Sequence, residues 1–277
     1  MRNNNLKNKW ALITGASGLL GKEHSLALAG AGASVVMTDL DEEKLKVARA
    51  GILETFPKAK VDSMRMDVTS LESINEVANF LTAKGRFVST LVNNAAINPK
   101  NDKSATNNGL SEESRLESFD VGAFHREVEV GLTGAILCAS IFGKKMAEMG
   151  GGSIINIASD LSVIAPNQKL YERSVLKPGS QPVKPVSYSV IKSGLHGLTL
   201  YLSTYWSDKN VRANTLSPGG VYNAHDPEFV SRLEKLIPLG RMANKNEYHE
   251  ILIFLAGDGA SYLNGQNIVM DGGRSAW

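Results

Sequence analysis

The sequence predicts an α/β fold in which a parallel sheet is covered by helices on both faces. Short apolar segments such as Trp10–Thr14 and Ser34–Thr38 alternate along the chain with longer segments of helical pattern. These short segments are apolar almost throughout, whereas a strand with one face in water is apolar only at alternate positions. Strands buried on both faces and separated by helices are typical of a three-layer αβα arrangement.

The predicted elements alternate regularly along the chain. Seven strands are predicted, at residues 10–14, 34–38, 61–68, 88–92, 153–157, 211–216 and 267–270. Helices are predicted at residues 22–31, 41–50, 71–83, 122–149 and 187–206. The helix at 41–50 has acidic residues in its first turn, where the helix dipole favours negative charge. The uncharged stretch 131–143 is too short to span a bilayer and is typical of a buried helix.

Two segments interrupt this alternation and are predicted to be inserts. Residues 98–108 are polar and typical of a loop, and the insert that contains them is placed at about 98–118. Residues 168–185 contain three prolines and show no clear period, which places a second insert at 167–185. We expect both to lie over the end of the sheet at which α/β folds bind their ligands.

Composition favours an enzyme-sized globular protein and gives no support for a nucleic-acid or membrane partner. The 277 residues include 30 basic and 28 acidic side chains, for a net charge of +2, and no long basic run. Cys138 is the single cysteine, which is typical of a reducing compartment, and we expect it to be buried and inert. The first residues lack the apolar core of a signal peptide, so a cytoplasmic location is expected. No metal-ligand spacing repeats in the sequence.

A glycine-rich turn follows the first predicted strand and begins the first helix. It runs Thr14-Gly15-Ala16-Ser17-Gly18-Leu19-Leu20-Gly21. Glycines permit a tight turn and close approach of a pyrophosphate, and the start of a helix presents free backbone N–H groups. The segment therefore predicts a dinucleotide site formed by Gly15, Ser17, Gly18, Leu19 and Leu20. A turn that merely packs helix on strand is the alternative.

Asp39 ends the second strand, 18 residues after Gly21. A carboxylate at this point can accept hydrogen bonds from both hydroxyls of an adenosine ribose, and it repels a 2′-phosphate. The sequence therefore predicts NAD as the cofactor in preference to NADP. The alternative is that Asp39 caps the following helix.

Further candidate residues follow the third and fourth strands. Asp67 and Val68 are expected at the edge of the adenine. Asn93-Asn94-Ala95-Ala96 ends the fourth strand, where the small residues Ala95 and Ala96 let the backbone lie close to a cofactor. Asn94 either contacts the cofactor or braces the neighbouring strands.

Tyr188 and Lys192 are four residues apart on a predicted helix and therefore lie on one face of it. A nearby ammonium stabilises the phenolate and lowers the pKa of the tyrosine. This makes the hydroxyl a usable proton donor or acceptor near neutral pH. The spacing alone occurs often by chance, so the surrounding motifs decide its meaning.

These motifs together resemble the short-chain dehydrogenase/reductase family over nearly the whole chain. Its markers stand here in order: the glycine-rich turn, Asp67-Val68, Asn93-Asn94-Ala95-Ala96, Asn156-Ile157-Ala158-Ser159, Tyr188-Ser189-Val190-Ile191-Lys192, Ser217-Pro218-Gly219-Gly220 and Asp271-Gly272-Gly273. The resemblance implies a single Rossmann-type domain over residues 1–277, with a doubly wound seven-stranded sheet. It also implies hydride transfer between a nicotinamide and a secondary alcohol or ketone.

The resemblance also implies roles for single residues. Tyr188 would be the general acid/base, Lys192 would lower its pKa and hold the nicotinamide ribose, and Ser159 would donate a hydrogen bond to the reacting oxygen. Backbone at Pro218, Gly219 and Val221 would face the nicotinamide carboxamide. The family places a substrate loop at about 222–238, and its members commonly assemble as tetramers, so a homotetramer or homodimer is expected.

Three features depart from the family pattern. The glycines at 15, 18 and 21 have the spacing of the extended branch, which includes sugar-nucleotide epimerases and dehydratases. Gly131 stands where the family often has an asparagine that kinks the helix and holds a water in a proton relay. Ser159 precedes Tyr188 by 29 residues, about twice the usual gap, so the insert must loop out for the two to meet.

The insert and the C-terminus resemble a bacterial subgroup of the family found in flagellin-modification and surface-sugar pathways. The segments concerned are residues 167–172 and 272–277. This favours a sugar or sugar-nucleotide substrate, which Tyr171, Glu172, Arg173 and Lys177 could contact, unless the insert is a surface or subunit-contact loop. Two other functions stay open: a non-redox epimerase or dehydratase that retains NAD, and a regulator that binds NAD with little catalysis.

Overall fold

The computed structural model describes residues 6–97, 114–174 and 176–277. Its central sheet has seven parallel strands in the order β3-β2-β1-β4-β5-β6-β7. The strands are β1 Trp10–Thr14, β2 Ser34–Asp39, β3 Val61–Arg65, β4 Val88–Asn93, β5 Gly152–Ile157, β6 Val211–Pro218 and β7 Asn267–Met270. The predicted doubly wound, single-domain fold is confirmed. Most of the predicted insert at 98–118 lies outside the described residues.

Seven α-helical segments in the described part of the chain flank the sheet. They are α1 Leu19–Gly30, α2 Glu42–Thr55, α3 Leu71–Ala83, α4 Val121–Glu148, α5 Val186–Tyr205, α6 Pro227–Glu234 and α7 His249–Ala256. The sequence did not predict α6 and α7. It also extended the third strand to residue 68, whereas β3 ends at Arg65, because the carboxylate of Asp67 turns the chain by accepting from the backbone and side chain of Thr69.

Each face of the sheet packs into its own hydrophobic core. Successive strand residues point to opposite faces, so Ala11 and Ile13 lie in one core and Leu12 in the other. The first core contains the apolar faces of α1, α2 and α7, and the second contains those of α3, α4 and the end of α5. The near-continuous apolar strands are thus explained by burial on both sides.

Helix α4 is long and is interrupted by two π-helical turns, at Glu129–Thr133 and Ala139–Gly143. Within the described residues it is the one helix with the length and apolar character to cross a bilayer. Its buried residues Cys138, Phe142 and Met146 pack into the second core, as the central helix of a globular protein does. Burial raises the pKa of the Cys138 thiol to about 12, so the thiol stays protonated.

The strand order reverses between β1 and β4, which lie side by side although α1, β2, α2, β3 and α3 separate them in sequence. In parallel sheets of this kind the carboxyl ends of the strands at the reversal form a crevice that binds ligands. The candidate site is therefore expected above β1, β4 and β5.

Candidate active site

The glycine-rich turn packs backbone against backbone at the carboxyl ends of β1 and β4. Gly15 has a φ of +61°, and a Cβ there would lie 2.8 Å from the Cα of Ala95. A Cβ on Gly21 would lie 2.2 Å from the carbonyl oxygen of Gly15, so both positions require glycine. Gly18 is exposed and precedes the first residue of α1, Leu19. The first-turn amides of α1, at Leu19 and Leu20, therefore face outward without intrahelical partners.

Asp39 lies beside this turn. Its Oδ2 accepts hydrogen bonds from the backbone N of Ser17 at 2.9 Å and from the Ser17 hydroxyl at 2.7 Å. The capping alternative is excluded, because Asp41 caps α2 by accepting from the N of Lys44 at 3.0 Å. Asp39 is thus a carboxylate at the end of β2, held next to the free start of α1.

The side chain of Asn94 points toward the glycine-rich turn and is hydrogen-bonded to it. Its side-chain amide donates to the carbonyl oxygens of Thr14 at 3.0 Å and Gly15 at 3.1 Å. The backbone amides of Asn94 and Ala95 both donate to the hydroxyl of Thr14 at 3.0 Å. Of the two roles left open by the sequence, the structural one is therefore observed at this residue.

The other predicted cofactor residues lie around the same crevice. Val68 packs against α4, where a Cβ on Gly134 would lie 2.8 Å from its Cγ2. Ala96 lines a cleft that continues toward α5. Gly219, at the end of β6 beside Pro218, donates to the carbonyl of Met270 at 2.8 Å, and Val221 bridges to Ala243.

Ser159, Tyr188 and Lys192 come together at the carboxyl end of β5. Lys192 is 7% exposed, and its Nζ donates to the carbonyl oxygen of Ile157 at 2.7 Å. The same Nζ lies 5.8 Å from the centre of the Tyr188 ring. Ser159 lies two residues after the end of β5, and its side-chain hydrogen bond with Tyr188 lowers the pKa of the phenol. The 29-residue separation does not keep the two apart.

Burial dominates the electrostatics of this group. It raises the pKa of Tyr188, whereas the side-chain hydrogen bond with Ser159 lowers this pKa and the charge of Asp160 raises it. It lowers the pKa of Lys192 to about 8, with the charge of Lys184 adding to the effect. The expected lowering of the tyrosine pKa by its lysine neighbour is therefore not what this structure shows, because Lys192 is turned to a carbonyl and the phenol is desolvated.

A buried ion pair lies directly behind Ser159, and the sequence did not predict it. Asp160 is 3% exposed and Arg274 is 9% exposed, and their Oδ2 and Nη1 atoms are 2.7 Å apart. The other carboxylate oxygen, Oδ1, accepts from the Ser159 hydroxyl at 2.8 Å and from the N of Leu161 at 2.9 Å. The C-terminal segment is thereby connected through Asp160 to the serine. Nothing in the spacing of residues 160 and 274 signalled this contact.

Lys184, at the end of the insert, is a second cation of the site that the sequence analysis missed. Its Nζ lies 3.6 Å from the centre of the Tyr188 ring, a cation–π contact. Burial lowers the pKa of Lys184 to about 8, while Asp160 and Glu127 act to raise it. Lys184 also stands four residues before Tyr188, a spacing that could have indicated the contact.

The cleft beside Tyr188 combines this charge with apolar walls. It is lined by Ala96, Ile97, Glu127, Gly131, Lys184, Pro185, Ser187, Tyr188, Ile191 and Lys192. Glu127 on α4 contributes a carboxylate to this lining. Glu129, two residues later at the start of the first π-helical turn, is exposed.

Gly131 makes room for a side chain from the neighbouring helix. A Cβ at this position would lie 2.8 Å from Cγ2 of Ile191. Gly131 also lies within the first π-helical turn of α4, so the helix departs from α-geometry here without an asparagine. Ile191 packs where the asparagine side chain of the family would begin.

The described residues of the insert, 167–174 and 176–185, include a segment that packs on α6. Leu170 is buried against Leu233, Ile237 and Met242, and the rings of Tyr171 and Phe229 lie 5.6 Å apart. Arg232 on α6 donates to the carbonyl of Glu172. The start of the insert, at Leu170–Glu172, therefore packs against the segment at 222–238.

Two glutamine side chains form hydrogen bonds with the backbone inside the insert. The amide of Gln168 accepts from the N of Lys184 at 2.8 Å and donates to its carbonyl at 3.4 Å. Gln181 bonds the backbone of Arg173 and Leu176 in the same manner. Among the side chains expected to meet a substrate, those of Glu172 and Lys177 are exposed, and Lys184 instead lines the cleft.

The residues present fit a nicotinamide dinucleotide. Gly18 at the start of α1 lacks a side chain, the first-turn amides of α1 suit a pyrophosphate, and Asp39 lies beside the same turn through its hydrogen bonds to Ser17. Ala95 packs on Gly15 of the turn, and the next residue, Ala96, lines the cleft that contains Tyr188 and Lys192.

Comparisons with known proteins agree with this geometry. A family model described as enoyl-(acyl carrier protein) reductase matches residues 15–275. The chain is 30% identical over 273 residues to D-threitol dehydrogenase of Mycolicibacterium smegmatis, covering 97% of this chain and 93% of the relative. It is 27% identical over 274 residues to the NAD-dependent glycerol dehydrogenase of Listeria innocua, covering 97% and 94%.

Two further matches also cover nearly the whole chain. Post-translational flagellin modification protein A of Campylobacter coli is 27% identical over 268 residues, covering 97% of this chain and 98% of the relative. The structure of a gluconate 5-dehydrogenase from Burkholderia cenocepacia, in complex with NADP and tartrate, has a TM-score of 0.83 and 26% identity, covering 99% and 98%. The fold, the motifs in order and these matches together show that the chain belongs to the short-chain dehydrogenase/reductase family of oxidoreductases.

Proposed function

We propose that the protein is an NAD-dependent dehydrogenase that interconverts a polar secondary alcohol and its ketone. The observation that carries the proposal is the meeting of Ser159, Tyr188 and Lys192 at the carboxyl end of β5, the same end of the parallel sheet at which β2 ends in Asp39. Relatives named for threitol, glycerol and gluconate support a polar, hydroxyl-rich substrate.

In this proposal the bound nicotinamide supplies the hydride acceptor or donor. Tyr188 exchanges the proton with the substrate oxygen, and the hydroxyl of Ser159 stabilises the charge that develops on that oxygen. Lys192 places an ammonium beside the phenol, and turning its Nζ from the Ile157 carbonyl toward the phenol favours the phenolate. The apolar walls Ile97, Pro185 and Ile191 limit the access of water to this group.

We propose NAD rather than NADP as the cofactor because of Asp39. Its carboxylate is fixed by Ser17 beside the start of α1, where a 2′-phosphate would meet a negative charge. The solved relative with NADP shows that the family admits either cofactor. The remaining cofactor contacts are proposed from the turn at 15–20, from 67–68 and 94–96, and from 218–221.

The test is the Tyr188→Phe variant, assayed with NAD and a panel of polyols and sugars. We expect turnover to fall by about 10²–10⁴-fold, the usual contribution of general acid–base catalysis, while NADH binding followed by fluorescence stays within about twofold. Turnover equal to that of the unaltered protein would remove Tyr188 from the reaction. Release of one NAD per chain on denaturation, without NADH formation on any substrate, would favour the epimerase or dehydratase alternative.

Further proposals concern where the enzyme works and how it assembles. We propose a cytoplasmic homotetramer or homodimer, with the exposed aromatic residues Tyr201, Tyr205 and Trp277 as candidates for the contact. The flagellin-modification relative supports a sugar or sugar derivative of a surface-glycan pathway as the substrate class. Light scattering of the purified protein measures the assembly, and a monomer would contradict it.

A further inference from the structure

Lys184 is a half-buried lysine whose direct side-chain partner in the described part of the chain is an aromatic ring. Its Nζ lies 3.6 Å from the centre of the Tyr188 ring, and within the described residues no carboxylate comes within ion-pairing distance of it. A cation removed from water is costly unless it is paired. Such a group at a cleft wall calls for a partner that the protein itself does not supply.

The charged residues of the cleft indicate whether the ligand group that pairs with Lys184 is positive or negative. Lys184 and Lys192 bring two ammonium groups to the lining, and Glu127 brings one carboxylate. Asp160 is already neutralised by Arg274. The phenol of Tyr188 is neutral because burial raises its pKa. The lining therefore has an excess of positive charge that favours an anion.

The position of Lys184 is fixed by the fold. It stands immediately before Pro185, which begins α5, and the Gln168 amide binds both its backbone N and its carbonyl. The ammonium therefore stays close to the phenol, and an anionic group bound to it would lie beside Tyr188. Glu127, which also lines the cleft, repels a dianion more than a monoanion, and this favours a carboxylate over a phosphate.

We propose that Lys184 binds a carboxylate of the substrate, so that the enzyme acts on a hydroxy acid or its keto acid in preference to the neutral polyol. The proposal rests on the dehydrogenase function proposed above and names its substrate class. It makes Lys184 a determinant of specificity, contributed by the insert that distinguishes this chain.

Matched substrate pairs test the proposal. The ratio of kcat/KM for threonate to that for threitol, and for gluconate to sorbitol, is measured with NAD for the unaltered enzyme and for Lys184→Met, Lys184→Arg and Lys169→Met. We expect ratios above one for the unaltered enzyme. Lys184→Met should lower them about 10- to 100-fold, as expected for a lost charge-assisted hydrogen bond. Lys184→Arg, which keeps the charge, and Lys169→Met, an exposed lysine of the same insert, should change them less than threefold.

Ratios below one in the unaltered enzyme would overturn the proposal, as would ratios in Lys184→Met within twofold of those of the unaltered enzyme. A preference for sorbitol 6-phosphate over gluconate would replace the carboxylate by a phosphate. Titration calorimetry of threonate into the NADH-loaded protein reads the same contact without turnover. If threonate binding depends on Lys184 but no substrate is oxidised, the dehydrogenase function is contradicted and the carboxylate contact of Lys184 still holds. If Lys184→Met binds threonate as well as the unaltered enzyme does, the carboxylate contact is overturned.

Discussion

Replacing Arg274 by methionine would leave Asp160 as a buried carboxylate without its ionic partner. Asp160 is 3% exposed and keeps hydrogen bonds from the Ser159 hydroxyl and the Leu161 amide, but these do not neutralise its charge. Breaking one partner of a buried pair costs about 3–5 kcal/mol. In proteins of about this size 1 kcal/mol shifts Tm by about 2–4 °C, so we expect Tm to fall by about 6–20 °C.

The assay combines thermal unfolding with kinetics. Asp160→Asn in the Arg274→Met background removes the buried charge and should recover part of the lost Tm. Lys46→Met, which breaks the exposed pair with Glu43, serves as the control and should leave Tm unchanged. Because Asp160 accepts from the Ser159 hydroxyl, kcat of Arg274→Met should also fall while NADH affinity is retained. A Tm drop below about 2 °C for Arg274→Met would refute the argument that the pair holds the C-terminal segment at the site.

Three further changes probe the cofactor site, the helix contact and the charge of the cleft. Asp39→Ser should lower kcat/KM for NAD relative to NADP by about 10- to 100-fold through loss of charge-assisted hydrogen bonds; an unchanged ratio would contradict the ribose role. Gly131→Ala should lower the free energy of unfolding by about 1–3 kcal/mol, because the added methyl group overpacks against Ile191. Adding Ile191→Ala to Gly131→Ala should relieve this overpacking. Equal stability of Gly131→Ala and the unaltered chain would contradict the contact. The kcat/KM ratio of threonate to threitol should fall as pH rises through about 8, because the free enzyme loses the proton of Lys184 in this range. The other titratable groups that face Lys184 are Lys192, Glu127 and Asp160. The Lys184→Met variant is the control, and its ratio should be independent of pH.

The prediction from sequence succeeded where a residue's role depends on its immediate neighbours in the chain. Gly15 and Gly21 mark a turn that only glycine can adopt beside the backbone at Ala95. Tyr188 and Lys192 share a face because helical spacing places them there. Asp39 ends its strand where the alternation of apolar segments places the end of the strand. Each of these is a local rule of backbone geometry, so it can be read from the order of residues.

The prediction failed where distant segments meet. Glu127 on α4 and Lys184 in the insert line the same cleft, a meeting that the pattern of neither segment reveals. Helix α6 was missed because its packing partner is Leu170 in the insert, which no periodicity of α6 itself reveals. The direction of the Tyr188 pKa was also misjudged, since desolvation depends on everything packed around the phenol and not on Lys192 alone.

The sequence by itself determined the fold class, the family resemblance and the group of Ser159, Tyr188 and Lys192, because strand and helix periodicities and glycine turns are set by local sterics. The tertiary structure decided which charges surround that group. It brought Arg274 to Asp160 across 114 residues and placed Lys184 on the ring of Tyr188. Burial and ion pairing depend on distances through space, so they are defined only once the sheet, α5 and the insert have packed together.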